Sequence, residues 1–315
     1  MKQTIEYITL DEISGDQRFN LNSAFGFNAL SNSVASIGNI YPLLAWKHQN
    51  SIILVDGFKR LEIAKNSNRA ELPFILLPPN IGLEEIVNIR YHTIKQEDIE
   101  LNAHQKISIY TILKEAEISD QKLHDWQIKL NLMNPEKYIK ILGWPNIARD
   151  YIYNYNVSVK QLLPLFGQSN DVIAEIFSLA TSLSIRILEL CSIVETVSEI
   201  ALNEKVTIIS IFNRKQINTL LENKDLNRNQ KILKLKKILY DWRYPTITKY
   251  QNQLEVQLKE LTLNAQTSIQ YDKFFETAGI NLSAKLRNVE DLDNLIYLIT
   301  NTKNMKTLKT ILNIL

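Results

Sequence analysis

A glycine followed by two cations at the end of an apolar run is the part of this sequence best equipped for chemistry. The stretch Ser51-Ile52-Ile53-Leu54-Val55-Asp56-Gly57-Phe58-Lys59-Arg60-Leu61 reads as a buried strand, a tight turn and a helix. Amides in the first turn of a helix lack intrahelical acceptors and carry partial positive charge. Gly57 would let a ligand approach the backbone, and Lys59 and Arg60 would add full charges, so the loop suits phosphate. The same residues also suit a turn glycine followed by two solvated cations, and the spacing alone does not choose between the two.

Other reactive side chains are dispersed. His48, His92, His104 and His124 stand at no metal-ligand spacing with a second His or Cys, so no metal site is assigned and surface positions are expected for them. The only cysteine, Cys191, lies in the apolar stretch Ile187-Leu188-Glu189-Leu190-Cys191 and reads as a small buried hydrophobe. Asp56 could act as a base, but an aspartate beside a turn glycine more often accepts a turn hydrogen bond. No catalytic residue is assigned.

The elements that must position the loop form a small α/β unit over 1–82. Ile8–Leu10, Leu43–Trp46, Ser51–Val55 and Leu72–Leu77 have the length and branching of strands. Leu30, Val34 and Ile37 recur at helical spacing before Gly38, as do Leu61 and Ala64 after Gly57. From Leu83 onward helical periodicity takes over. Helices are expected near 83–95, 103–116, 119–130, 134–142, 146–153, 158–166, 170–180, 183–200, 213–222 and 228–242, with Ser119, Asn134, Ser158 and Asn213 as caps. The segment 267–315 mixes a strand, Ile280–Leu286, with a helix opening near Val289. The expected class is α+β: a mixed N-terminal domain (1–82), two helical domains (83–166 and 167–266) and a small α+β segment (267–315).

The first domain resembles the N-terminal domain of ParB proteins, in the ParB/sulfiredoxin superfamily. The resemblance rests on Ser36-Ile37-Gly38-Asn39-Ile40-Tyr41-Pro42 for a Gly-x-x-x-Pro signature, Gly57-Phe58-Lys59-Arg60 for a Gly-Glu-Arg-Arg signature, and Glu71-Leu72-Pro73-Phe74-Ile75 for the strand that follows. It implies a nucleoside triphosphate, CTP with magnesium in type, held at Gly38, Pro42, Gly57, Lys59 and Arg60. Phe58 stands where the family has glutamate, Tyr41 where glutamine is usual, and no Glu-Asn pair occurs in Asn88–Gln96. A magnesium ion and a hydrolytic water would therefore lose carboxylate partners, and hydrolysis is expected to be weak or absent. The catalytic cysteine of sulfiredoxins, which follows the loop glycine, is replaced by Phe58, and the histidine of free-serine kinases has no neighbour of Asp56 to match it.

ParB proteins continue into a helix-turn-helix, and Ser119–Leu142 fits two helices around a short turn. Leu123, Trp126 and Leu130 share one face of the first, and Tyr138, Ile139 and Leu142 one face of the second, which Pro135 would open. As a recognition helix it would present Asn134, Glu136 and Lys137 to base edges and Lys140 to phosphate. It could equally be an ordinary helical hairpin. A second basic stretch, 224–243, places Ile232, Leu235, Leu239 and Trp242 inward and Arg228, Lys231, Lys234 and Lys237 outward, a ridge able to neutralise phosphates or simply a solvated face.

The formal charge of +2 means that any nucleic-acid contact must come from such local clusters. No apolar run approaches the ~18 residues of a membrane span, and the expected location is the cytoplasm. The leading expectation is a ParB-like protein that binds duplex DNA and a nucleotide, acting in replicon partition or transcriptional control, with a second copy of the chain as a further candidate partner. The alternatives are an enzyme of the same fold acting on a phosphorylated small molecule, and a non-catalytic helical adaptor.

Overall fold

The computed structural model describes residues 5–21, 41–67, 71–95, 100–261 and 267–315. The helix expected near 29–37, and Gly38 with it, lies outside the described residues. The class is α+β: a four-stranded sheet with helices, a long helical stretch, and a C-terminal hairpin with two helices. The chain divides into two compact units, 1–195 with 208–213, and 196–207 with 214–315.

In the first unit the strands are β1 (Ile5–Thr9), β2 (Leu43–His48), β3 (Ser51–Asp56) and β4 (Glu71–Leu77), in the order β1-β4-β2-β3. β2 and β3 form an antiparallel hairpin that pairs His48 with Ser51 and turns through Gln49 at positive φ. The chain then crosses through helix α1 (Phe58–Asn66) and returns as β4, parallel to β2. Leu43, Ala45, Leu54, Val55, Leu61, Ala64, Leu72 and Phe74 are buried between sheet and helices, as their apolar spacing predicted.

Helices α2 (Leu83–Ile94), α3 (Ala103–Glu115), α4 (Asp120–Lys129), α5 (Asn146–Asn154), α6 (Val159–Leu162), α7 (Asn170–Ser182), α8 (Ile187–Glu204) and α9 (Ile208–Phe212) follow. Asn102 caps α3 in a reciprocal box with Gln105, whose amide also donates to the Leu21 carbonyl at 3.1 Å. Ser158 opens α6 in a similar box. Cys191 is buried and its Sγ donates to the Gln161 carbonyl; burial pushes the thiol up to about 11.

One expected α-helix is replaced. Residues Pro135–Gly143 form a 3-10 helix, and Asn134, at φ +50°, makes no capping bond through its side chain. The apolar positions explain the change: Pro135, Tyr138 and Ile141 recur every third residue, the repeat at which side chains of a 3-10 helix align. Asn213 does not cap a helix either, since the next one starts after Arg214.

The second unit contains α10 (Lys215–Glu222), α11 (Arg228–Arg243), α12 (Pro245–Glu260), the hairpin β5 (Thr267–Tyr271) and β6 (Ile280–Ala284), α13 (Val289–Thr300) and α14 (Thr302–Ile314). Its C-terminal core is small: Leu254, Leu261 and Ile311, packed by Leu258, Ile269, Tyr271 and Leu308 among others. Neither α12 nor β5 was anticipated.

Candidate functional site

The strand-to-helix turn has the geometry its sequence required. Gly57 sits at φ +101°, a region that L side chains rarely adopt, and a Cβ there would meet Leu43 Cγ at 2.8 Å. No side chain caps the first turn of α1. Leu61, Ile63 and Ala64 bury one face of that helix, which orients Lys59 and Arg60 beside the turn.

Arg60 folds back over the turn. Its Nη1 donates to the carbonyls of Tyr41 and Pro42, at 2.6 and 3.1 Å, and its Nη2 stands 3.5 Å from Asp56 Oδ2. Four of the residues expected to hold phosphate therefore gather here: Pro42 and Arg60 in direct contact, and Gly57 and Lys59 on the same turn. Partial burial pulls the Lys59 ammonium below the ordinary lysine range.

Asp56 does not make the turn hydrogen bond expected of it. Its carboxylate lies between two guanidinium groups, with Oδ1 accepting from Arg90 Nη1 at 2.8 Å. Arg90, on α2, is 1% exposed; it also donates to the Phe19 carbonyl at 3.1 Å and to Thr93 Oγ1 at 2.9 Å. Burial lowers the affinity of this guanidinium for its proton and the Asp56 charge opposes that. Sequence reasoning missed Arg90, although a signal existed. It falls on the stripe of Ile86, Val87 and Tyr91, and a cation on a buried stripe needs a partner.

These donors suit phosphate rather than a protein-held magnesium ion. Both oxygens of Asp56 are already engaged by arginines, and no cluster of three or more His, Cys, Asp or Glu side chains among the described residues could hold a metal.

Of the expected DNA-reading residues of this segment, Lys137 and Lys140 are exposed on the 3-10 helix and Asn134 is exposed just before it. Lys137 and Lys140, three residues apart, share an edge, with Lys140 Nζ 4.9 Å from the centre of the Phe166 ring. Glu136 does not point to a base-reading edge, because its carboxylate accepts from Tyr110 Oη and Lys114 Nζ, both at 2.7 Å. Lys114, then Tyr110, hold this carboxyl below its usual range.

The basic stretch of α11 lies in the second unit. Ile232, Leu235 and Leu239 are buried as expected, and Arg228, Lys234 and Lys237 are exposed. Lys231 is diverted: its Nζ donates to the Leu221 carbonyl at 2.5 Å. The four cations do not form one straight ridge either, since each three-residue step turns an α-helix by about 300° and the set winds around roughly half the circumference.

The expectation of surface histidines fails at His104, which is largely enclosed. Its Nδ1 lies 3.3 Å from Tyr153 Oη and 3.4 Å from Ser108 Oγ, and burial, then the Arg149 charge, lowers its pKa to about 4.

No family model matches the sequence, and no curated protein does. Solved structures of ParB N-terminal domains do align with the chain. One is the C-terminally truncated chromosome-partitioning protein ParB from Caulobacter crescentus complexed with CTP-gamma-S, at 14% identity over 53% of this chain and 94% of that one, with a TM-score of 0.26. Two others are pNOB8-like ParB N-domains, both at 13% identity. They cover 71% and 76% of this chain and 94% and 97% of their own, with TM-scores of 0.30 and 0.33. Among the described residues no helix is long and apolar enough to cross a membrane.

Proposed function

We propose that the chain is a ParB-like protein whose N-terminal domain holds a nucleoside triphosphate of CTP type, coupled to duplex DNA binding in replicon partition or transcriptional control. One observation carries the reading: Arg60 joins the Tyr41–Pro42 segment to the Gly57 turn, so two short motifs that resemble the family's signatures meet at one cationic, glycine-bearing helix start. The phosphates would lie against the first turn of α1, with Lys59 and Arg60 as charged donors. DNA would be met by Asn134, Lys137 and Lys140, with Arg228, Lys231, Lys234 and Lys237 as a second set of backbone contacts. Hydrolysis is slow or absent in this proposal, because Phe58 supplies no carboxylate and Asp56 is committed to two arginines.

A second reading, a scaffold that binds no nucleotide, is favoured by the completeness of that same network. Arg60 already has acceptors on both sides and Asp56 two cations. Calorimetric titration of the full chain with CTP and with ATP, with and without duplex DNA, separates the two. The proposal expects saturable binding, weakened roughly ten- to a hundredfold by Lys59→Ala, as the loss of a charge-assisted bond would cause. No heat of binding with either nucleotide, in a folded protein, leaves the scaffold.

A further inference from the structure

The two edges of the sheet in the first unit are finished differently. Beyond β3 the chain covers the edge itself: Ile13 bridges Ile52, and the Ser14 amide donates to the Ile52 carbonyl at 2.8 Å. β1 is the other edge, and among the described residues no strand lies beyond it. It carries no lysine, proline or bulge, the devices that ordinarily keep a further strand from adding to an edge.

Pro73 fixes which backbone groups of β1 are open. Lacking an N–H, it suits a pair that exchanges no hydrogen bonds, so Tyr7, its partner in register, turns its own N–H and C=O away from β4. By alternation Ile5 and Thr9 do the same. The Thr9 amide agrees with this parity: it donates to Glu12 Oε2 at 3.2 Å. The outward groups of Ile5 and Tyr7 have no partner among the described residues, and the two side chains are 57 and 71% exposed. The surroundings are acidic. Glu6, Asp11 and Glu12, with Glu71 opposite Thr9, are exposed, and no lysine or arginine occurs in 5–13 or 71–77. None of the four carboxylates makes an ion pair among the described residues.

We propose that the β1 edge takes up an extended, basic segment of another protein as an additional strand. The outward groups of Ile5 and Tyr7 supply the main-chain bonds, and apolar side chains of the incoming segment pack beside Ile5 and Tyr7. Its alternate positions, on the opposite face, bring lysine or arginine to Glu6 and, past the end of the strand, to Asp11 and Glu12. Charge rejects the other occupants. A nucleic acid would be repelled by the four carboxylates, and a second β1 would add its own Glu6, Asp11 and Glu12 and no cation.

Fluorescence anisotropy of a labelled peptide of alternating lysine and valine, titrated with the full chain, tests the proposal. Saturable binding is expected, weakening as salt rises. The same peptide N-methylated along its backbone, and a peptide of alternating glutamate and valine, should not bind. Tyr7→Pro removes an outward N–H and none of the bonds to β4, and should weaken binding roughly tenfold, the upper range for one lost hydrogen bond. Glu6→Lys with Asp11→Lys should weaken the lysine peptide and admit the glutamate one. No binding of the lysine peptide at low salt, binding that survives N-methylation, or binding indifferent to Tyr7→Pro overturns the proposal. Self-association that Tyr7→Pro abolishes gives the edge to a second copy and overturns it as well. If Tyr7→Pro unfolds the domain by circular dichroism, the N-methylated peptide and the charge reversals still decide, because they leave the β1 backbone as it is.

Discussion

Arg90 Nη1 lies 2.8 Å from Asp56 Oδ1, so a cation buried on α2 is neutralised by the carboxylate that ends β3. Removing the carboxylate leaves that charge without its counterion, a change that typically costs about 3–5 kcal/mol. Asp56→Ala should therefore lower stability by that order in urea unfolding, and replacing both residues (Asp56→Asn with Arg90→Met) should recover part of the loss. A change within about 0.5 kcal/mol, the range of an ordinary surface substitution, would show the pair to be idle.

Gly57→Ala is expected to be costly for two separable reasons, the positive φ and the 2.8 Å approach to Leu43 Cγ. Strained backbone of this kind costs on the order of 1–3 kcal/mol. Adding Leu43→Ala makes room for the methyl group but leaves the φ and opens a cavity, so thermal melts of the pair should show no rescue. Full rescue would mean that the contact, not the backbone, demands glycine.

Duplex binding, if it runs through the exposed lysines, must weaken steeply with salt, by about −0.9 in log K against log salt for each phosphate neutralised. Lys137→Ala with Lys140→Ala should flatten that slope by roughly two. Lys231→Ala should change it least among the basic residues of α11, since its ammonium is spent on the Leu221 carbonyl. A slope that ignores salt removes DNA from the proposed function.

His104 gives the fold an acid sensitivity of known sign. Its pKa is lowered to about 4 in the fold, against about 6.5 in an unfolded chain, so the unfolded state takes up the proton first. Its contribution is complete above pH ~6.5, declines as the pH falls toward ~4 and is flat below, amounting to at most about 3 kcal/mol. Urea midpoints across that window should fall for the wild type and fall less for His104→Gln. Parallel curves for the two proteins would place the acid sensitivity elsewhere.

The first domain was largely legible because its strands and α1 follow simple apolar periodicities, and because Gly57 is demanded by a local backbone geometry. Partnership across the fold was not. Nothing in the stretch around Asp56 reveals that Arg90 will meet it, because the link runs between elements 34 residues apart. The 3-10 helix at Pro135–Gly143 was misread because Tyr138 belongs both to the three-residue repeat Pro135, Tyr138, Ile141 and to the α-helical face Tyr138, Ile139, Leu142 over so short a run. Helix α12 did carry signals: Pro245 at its first position and Leu254, Leu258 and Leu261 at helical spacing.

The sheet order β1-β4-β2-β3 fixes a sequence of assembly during synthesis. The β2–β3 hairpin is local and can pair as soon as it leaves the ribosome, and α1 then delivers β4 alongside β2. β1 is made before the other three strands of this sheet, yet its register partner for Ile5 is Ile75, so its native pairing must wait until β4 has been made. The nascent chain thus carries β1 without its sheet partner through the making of the Gly57 turn, and a ribosome stalled before β4 would hold that turn on a hairpin to which β1 cannot yet be joined.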